Sequence, residues 1–293
     1  MRPADVTREL LRAWPLPQPD DADGKEERGR VLVVGGSAMV PGAVRLAGEA
    51  ALRVGAGKLQ LATVGSAAPA LAVAVPEALV VALDEVDGQL LPGAGEQVAD
   101  LVGRAQAVVI GVGMSDPDPV REIVRTLVDV PGPVLVLDAA GITCLEGCGR
   151  DLLAPARDRI VLTPNAVEAA ALAACALDEV ERDPEKAGRR LVDELGVVVA
   201  LKGPTSYTCA PDGRAFADSS GNVGLGTSGS GDVLAGVVAG LAARGADRLQ
   251  AAVHGIHLHA TAGDRLAERV GPVGYLAREL AAEFPSLLAD LAP

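Results

Sequence analysis

The residues best suited to chemistry lie in Gly221-Asn222-Val223-Gly224-Leu225-Gly226-Thr227-Ser228-Gly229-Ser230-Gly231-Asp232. From Val233 to Ala243 no polar side chain follows. Glycines let a loop curl around a guest and turn its backbone N–H groups inward. The apolar run predicts a helix whose positive end points into the same space. An anion such as phosphate is the natural guest. Asp232 falls at the helix mouth, where a carboxylate repels phosphate unless it accepts a proton or holds a cation. It reads as the general base of a phosphoryl-transfer-like reaction. The plainer alternative is an acidic residue that merely suits a first helical turn. No Gly-Lys-Ser/Thr closes the loop, so it is not a Walker A motif.

Further candidates sit where apolar runs end. Val31–Val34 breaks at Gly35-Gly36-Ser37, and Pro41-Gly42-Ala43 opens a small-residue helix to Val54. Val108–Ile110 ends in Gly111-Val112-Gly113-Met114. Val134–Leu137 ends in Asp138, which is either functional or a helix cap. Ile160–Leu162 runs into Thr163-Pro164-Asn165-Ala166-Val167-Glu168. Thr163 is expected to cap the next helix, with Pro164 in its first turn. Asn165 and Glu168 share a face, where they hold a hydrated Mg²⁺ or a polar substrate, or else Glu168 is a capping residue. Val197–Leu201 ends at Lys202-Gly203, a lysine placed to reach phosphate or ribose. His254 and His257 share a face of a long helix, Arg248–Val270, without an evident third metal ligand.

These stretches need a scaffold that brings strand ends together. Strands are expected at 31–34, 58–63, 78–83, 108–110, 134–137, 160–162 and 197–201, with helices between and a hairpin around Pro211-Asp212-Gly213. Residues 275–291 form one or two closing helices. Such alternation implies an α/β chain with a mostly parallel sheet covered on both faces. Its glycine turns gather along one edge, where ligands bind. Residues 1–28, with Pro15, Pro17 and Pro19 extended, are a disordered lead-in or pack across the first strand.

Composition narrows the function. With 293 residues and 49% hydrophobic content, a large core is available. Aromatics at 2% and a net charge of −13 argue against nucleic acid. Cys144, Cys148, Cys175 and Cys209 show no zinc spacing and read as free thiols. Neither a signal peptide nor a membrane span is expected, which suits a cytoplasmic protein.

Taken together, the residues resemble the ADP- or ATP-dependent NAD(P)H-hydrate dehydratases of the ribokinase-like group. The shared features are the strand-turn-helix 31–54 with Pro41-Gly42-Ala43, Gly111-Val112-Gly113, Leu162-Thr163-Pro164-Asn165, Leu201-Lys202-Gly203, Pro211-Asp212-Gly213 and Gly229-Ser230-Gly231-Asp232-Val233-Leu234-Ala235-Gly236. The resemblance implies a ribokinase-like three-layer α/β/α fold and one domain over 1–293. It implies repair of NADHX and NADPHX to NADH and NADPH with ADP or ATP and Mg²⁺. It makes Asp232 the catalytic base and a substrate contact. Lys202, Gly203, Pro204, Thr205, Ser206, Thr227, Ser228, Gly229, Ser230 and Gly231 become the nucleotide site. Ala43, Gly113, Asn165 and Glu168 become the hydrate side. A homo-oligomer, often a tetramer, is implied, and the chain is short for the fused version, so the epimerase would be a separate protein. Many bacterial members carry His where this chain has Asn165, and Thr where it has Ser230. Two rivals remain: a kinase of the same fold acting on a vitamin-precursor alcohol, and a non-catalytic nucleotide-binding protein.

Overall fold

The computed structural model describes residues 2–18 and 24–292; Pro19, one of the prolines expected to extend the N-terminal path, lies outside them. The chain opens with β1 (Ala4–Asp5) and α1 (Arg8–Ala13), then β2 (Arg30–Val34), α2 (Gly42–Arg53), β3 (Lys58–Val64), α3 (Ala68–Ala74) and β4 (Ala78–Leu83). A small ribbon, β5 (Glu85–Val86) with β6 (Gln89–Leu90), precedes α4 (Ala94–Val102), β7 (Ala107–Ile110), α5 (Pro117–Val128) and β8 (Val134–Leu137). Next come α6 (Ala140–Thr143), α7 (Gly149–Leu152), β9 (Ile160–Leu162), α8 (Ala166–Leu172), α9 (Leu177–Arg182), α10 (Pro184–Leu195) and β10 (Val198–Leu201). The expected hairpin, β11 (Ser206–Cys209) and β12 (Ala215–Asp218), leads to α11 (Ser230–Ala243), α12 (Arg248–Arg269) and a single closing helix α13 (Ala277–Leu291).

The main sheet has the order β1-β12-β11-β10-β9-β8-β7-β2-β3-β4. Within it β11 alone runs against its neighbours. Strands β2, β3, β7, β8, β9 and β10 are buried on both faces, as a parallel sheet requires, while the edge strand β4 is partly exposed. Val31 and Val33 face the layer of α2, α11, α12 and α13, while Leu32 and Val34 face α4, α5, α8 and α10. The result is the three-layer α/β/α arrangement. From β2 the chain winds outward through β3 and β4, then returns to β7 on the other side of β2. The crevice between the ends of β2 and β7 is the switch point where such sheets receive ligands.

The described part of the N-terminal segment packs beside β12 rather than across β2. Leu11 is buried, Trp14 stacks on Phe216 of β12 at 5.7 Å, and β1 extends the sheet beside β12. The apolar surface of a six-residue helix is worth more covered than solvated.

α11 is buried nearly all round and lies against α2 at unusually short range. A Cβ on Gly236 would lie 2.0 Å from the Ala47 carbonyl oxygen, and one on Gly240 2.7 Å from that of Ala51. The small residues of both helices permit this approach, and it sets the two N-termini, with Ala43 and Asp232, side by side. Gly236→Val must force the helices apart, and we expect it to cost about 3 kcal/mol. Urea unfolding should show a lower midpoint at an unchanged m-value; a wild-type midpoint would contradict this packing.

Candidate active site

The glycine turns after β2 and β7 interlock at the switch point. Gly36 donates its N–H to the Val112 carbonyl at 2.8 Å, and Gly111 donates to Val34 at 3.2 Å. Gly113 has φ +68°, and a Cβ there would lie 2.8 Å from the Ala43 Cβ and 2.6 Å from the Val40 carbonyl oxygen. The structure thus brings Ala43 and Gly113 into contact. Gly111 in turn presses on the β8–α6 turn, where a Cβ would come within 2.4 Å of the Asp138 carbonyl oxygen.

The second wall is the glycine loop. Gly229 takes φ +86°, ending the loop and starting α11. Asp232 follows in the first turn, and no side-chain hydrogen bond engages its carboxylate among the described residues. Burial, reinforced by the like charge of Asp138 and offset by Lys202, pushes the Asp232 carboxyl up to about 7. The hydroxyl of Ser230 is turned away from the loop, 3.0 Å from His259 Nε2. His259 is buried, which depresses its ring to about 4 and keeps it neutral.

The loop itself is anchored from α12 and from the segment before α13. Asp264 accepts from the Gly221 N–H at 2.8 Å and from Asn222 Nδ2 at 3.0 Å. Asn222 Oδ1 accepts from the Gly224 N–H at 2.9 Å and from the Tyr275 hydroxyl at 3.0 Å. Gly224 lies so close to the Tyr275 ring that a Cβ would stand 2.5 Å from it.

Between the two walls lies an ion pair. Lys202 Nζ donates to Asp138 Oδ1 at 2.8 Å, and the Thr163 hydroxyl lies 2.7 Å from the same oxygen. Asp138 is 3% exposed, and the Lys202 side chain 22%. Burial alone would depress the ammonium, but Asp138, Glu168 and Asp232 together raise it. A Cβ on Gly231 would lie 3.3 Å from Lys202 Nζ and 3.5 Å from Asp138 Oδ2, so glycine there leaves the pair open to the loop. Asp138 is therefore not a cap: Ala139 is the N-cap of α6 and makes no side-chain cap bond.

Asn165 and Glu168 form a reciprocal capping box on α8, with bonds of 2.9 and 2.8 Å. This moves the expected cap from Thr163 to Asn165. The hydroxyl of Thr163 is instead drawn to the end of β8, where Asp138 and the Leu137 carbonyl accept it. Burial pushes the Glu168 carboxyl up, and Lys202 counteracts it. Lys202 donates its backbone N–H to the Pro164 carbonyl at 2.8 Å, tying β10 to this segment. Beyond it Gly203 and Pro204 are exposed, Ser206 folds back on Gly203 at 3.4 Å, and the Thr205 hydroxyl lies 3.1 Å from that of Ser219. Thr227 is half-buried and Ser228 exposed on the loop.

The helical histidines do not converge. His254 meets the Trp14 carbonyl at 2.9 Å, while His257 meets Asp218 at 2.9 Å. All four cysteines are unpaired. No helix of the described residues is long and apolar enough to cross a membrane.

A sheet of this topology, with a glycine loop opening a buried helix and one carboxylate at its mouth, defines a ribokinase-like protein. It aligns over 99% of its length with a ribokinase-like protein of Enterococcus faecalis V583, covering 96% of that chain at TM-score 0.85 and 24% identity. Residues 31–286 match the NAD(P)H-hydrate dehydratase family model, and the chain belongs to that family. It is 49% identical to an ADP-dependent (S)-NAD(P)H-hydrate dehydratase of Xanthomonas campestris, over 98% of this chain and 96% of that one. It is 32% identical to a bifunctional NAD(P)H-hydrate repair enzyme of Escherichia coli, spanning 50% of that protein. An ADP/ATP-dependent NAD(P)H-hydrate dehydratase of Bacillus subtilis, co-crystallised with ATP and Mg²⁺, superposes at TM-score 0.83 and 25% identity, with 99% of each chain covered.

The raised Asp232 carboxyl makes stability depend on pH. Between the unfolded value near 4 and about 7 the folded chain holds a proton that the unfolded chain has lost, so stability falls as pH rises through this window. Asp232→Asn removes that penalty. Thermal unfolding at pH 8 should find the variant more stable than wild type by about 1–2 kcal/mol, with no gain at pH 4. A variant less stable at both pH values would contradict this environment.

Proposed function

We propose that the protein is an ADP-dependent (S)-NAD(P)H-hydrate dehydratase, restoring NADH and NADPH from their 6S hydrates. The observation that carries this reading is the Asp232 carboxylate at the mouth of α11, which no side-chain hydrogen bond engages among the described residues, beside the glycine loop and the half-buried Lys202. Hydroxide is a poor leaving group and phosphate a good one. Asp232 takes the proton of the hydrate hydroxyl, whose oxygen attacks the terminal phosphorus of the nucleotide. The bond to the AMP oxygen breaks and AMP leaves with the electron pair. The hydrate's original C–O bond then breaks, phosphate departs carrying that oxygen and the electron pair, and a neighbouring carbon gives up its proton to restore the ring double bond. Positioned base catalysis of this kind is worth on the order of 10²–10⁴-fold.

The loop 227–231, with Lys202, Gly203, Pro204, Thr205 and Ser206, binds the nucleotide. Its backbone N–H groups and the start of α11 offset phosphate charge. Ser230 would contribute through its backbone, since its hydroxyl meets His259. Ala43, Gly113 and Asn165 line the hydrate side. Among the described residues no three His, Cys, Asp or Glu side chains group closely enough to hold a metal alone. The Glu168 carboxylate, one oxygen of which accepts from the Asn165 N–H, would meet with its other oxygen an Mg²⁺ ion carried on phosphates and water. Bound there, the ion would neutralise phosphate charge. On the same reading the enzyme works in the cytoplasm as a homo-oligomer, a tetramer by family resemblance, and takes epimerised substrate from a separate epimerase.

The test follows reduced-nicotinamide absorbance from NADHX with Mg²⁺ and ADP, ATP or no nucleotide. Recovery should require nucleotide, favour ADP, release free phosphate and fall at least about 100-fold in Asp232→Asn. Phosphate retained as an ester on another alcohol, with no recovery from NADHX, would instead make the protein a small-molecule kinase. Nucleotide binding without either reaction would leave a non-catalytic binder.

A further inference from the structure

Asp138 has no part in the chemistry above, yet it is the most deeply buried carboxylate of the crevice and the site is built around it. Its backbone is held by the close approach of Gly111 and by its carbonyl bond to the Gly141 N–H at 2.9 Å. The next residue, Ala139, sits at φ +50°, ψ −118°, a strained conformation for a residue with a Cβ. Such strain persists only where the surroundings over-determine it. The side chain spends one oxygen on two donors, Thr163 and Lys202. Lys202 rides on a flexible four-carbon stem, and its charge is felt at Asp232 as well as at Asp138. One ammonium thus stands between two carboxylates and bonds to only one of them.

We propose that Asp138 is a positioning residue of the reaction: by holding the Lys202 ammonium beside Gly231, it keeps that charge at the nucleotide loop and prevents it from pairing with Asp232. A base bonded to an ammonium is a weaker proton acceptor, and a lysine drawn to the base is lost to the phosphates. Asp138 and Lys202 are the charged groups that face Asp232. Glu168 from α8 acts on Lys202, and His259 from α12 stays neutral. Removing the Asp138 charge both deletes a like charge and frees the ammonium, so Asp232 ionises more readily. Removing Lys202 does the reverse.

The assignment rests on the proposed function only for its kinetic arm, so the test has two. The first follows the Asp232 carboxyl by ¹³C NMR across pH in the full-length protein, with Asp232→Asn identifying the signal. The titration midpoint should fall by about one pH unit in Asp138→Asn and rise in Lys202→Met, with the double variant above Asp138→Asn alone. The second arm measures nucleotide-dependent recovery from NADHX. In Asp138→Asn kcat should fall at least about tenfold, and its acid limb should move to lower pH with the NMR midpoint. A purely structural Asp138 would lower thermal stability and leave both limb and midpoint in place, which overturns the proposal. So does a Lys202→Met midpoint equal to wild type, a result that does not depend on Asp138→Asn folding. Wild-type inactivity on NADHX would defeat the proposed function, while the titration would still decide the role of Asp138.

Discussion

The close contact between α2 and α11 is the constraint on which the site depends. Two helices at ordinary separation could not place the Pro41-Gly42-Ala43 start and the Gly229–Asp232 start against one crevice. Gly236 and Gly240 on one helix, and Ala47 and Ala51 on the other, remove the side-chain bulk that would hold them apart. The cost is a helix with almost no amphipathic face, one that is apolar all round and suited only to a fully covered layer. α12 and α13 supply that cover, and α12 also carries Asp264, which ties down the loop leading into Asp232. Core packing and loop geometry are thus parts of a single arrangement.

Electrostatics sets the second constraint. The crevice gathers Asp138, Glu168 and Asp232 around a single ammonium, in a chain already carrying a net charge of −13. A polyphosphate would be repelled by such a site without donors of its own. The glycine loop and the positive end of α11 provide them as backbone N–H groups, which carry no side-chain entropy and no counter-charge to be desolvated. The same burial that makes the carboxylates costly keeps Asp232 near neutrality, where a base accepts and releases protons most readily.

Much of this was legible in the sequence, because the strands are continuous apolar runs and each ends at a glycine or polar break. Val134–Leu137 and Ile160–Leu162 appear with the expected bounds. Pro117–Val128 and Pro184–Leu195 fall where the alternation expects helices but assigns them no bounds, although both follow an Asp and open on Pro, a start signal visible in sequence. β1, β5 and β6 are two residues each, too short for any period to show. The site divides in the same way. Asp232 and its loop carry a local signal, and so do Ala43, Gly113 and Lys202. Asp138 stands equally for a cap or a functional group until tertiary structure sets it against Lys202, 64 residues away. Thr163 is misassigned for a related reason: Asn165 and Glu168 satisfy the helix start reciprocally, which releases the threonine to Asp138. The three histidines of α12 share a helix but meet Trp14, Asp218 and Ser230.

The central claim is that a kinase-like site removes water by first phosphorylating the hydroxyl that leaves. An isotope measurement tests it most directly. NADHX bearing ¹⁸O in its ring hydroxyl would be turned over with ADP and Mg²⁺, and the released phosphate analysed by mass spectrometry. The account predicts one ¹⁸O atom in each phosphate formed. Unlabelled phosphate, with the label recovered in water, would mean that the hydroxyl leaves without ever bonding to phosphorus, and would contradict it.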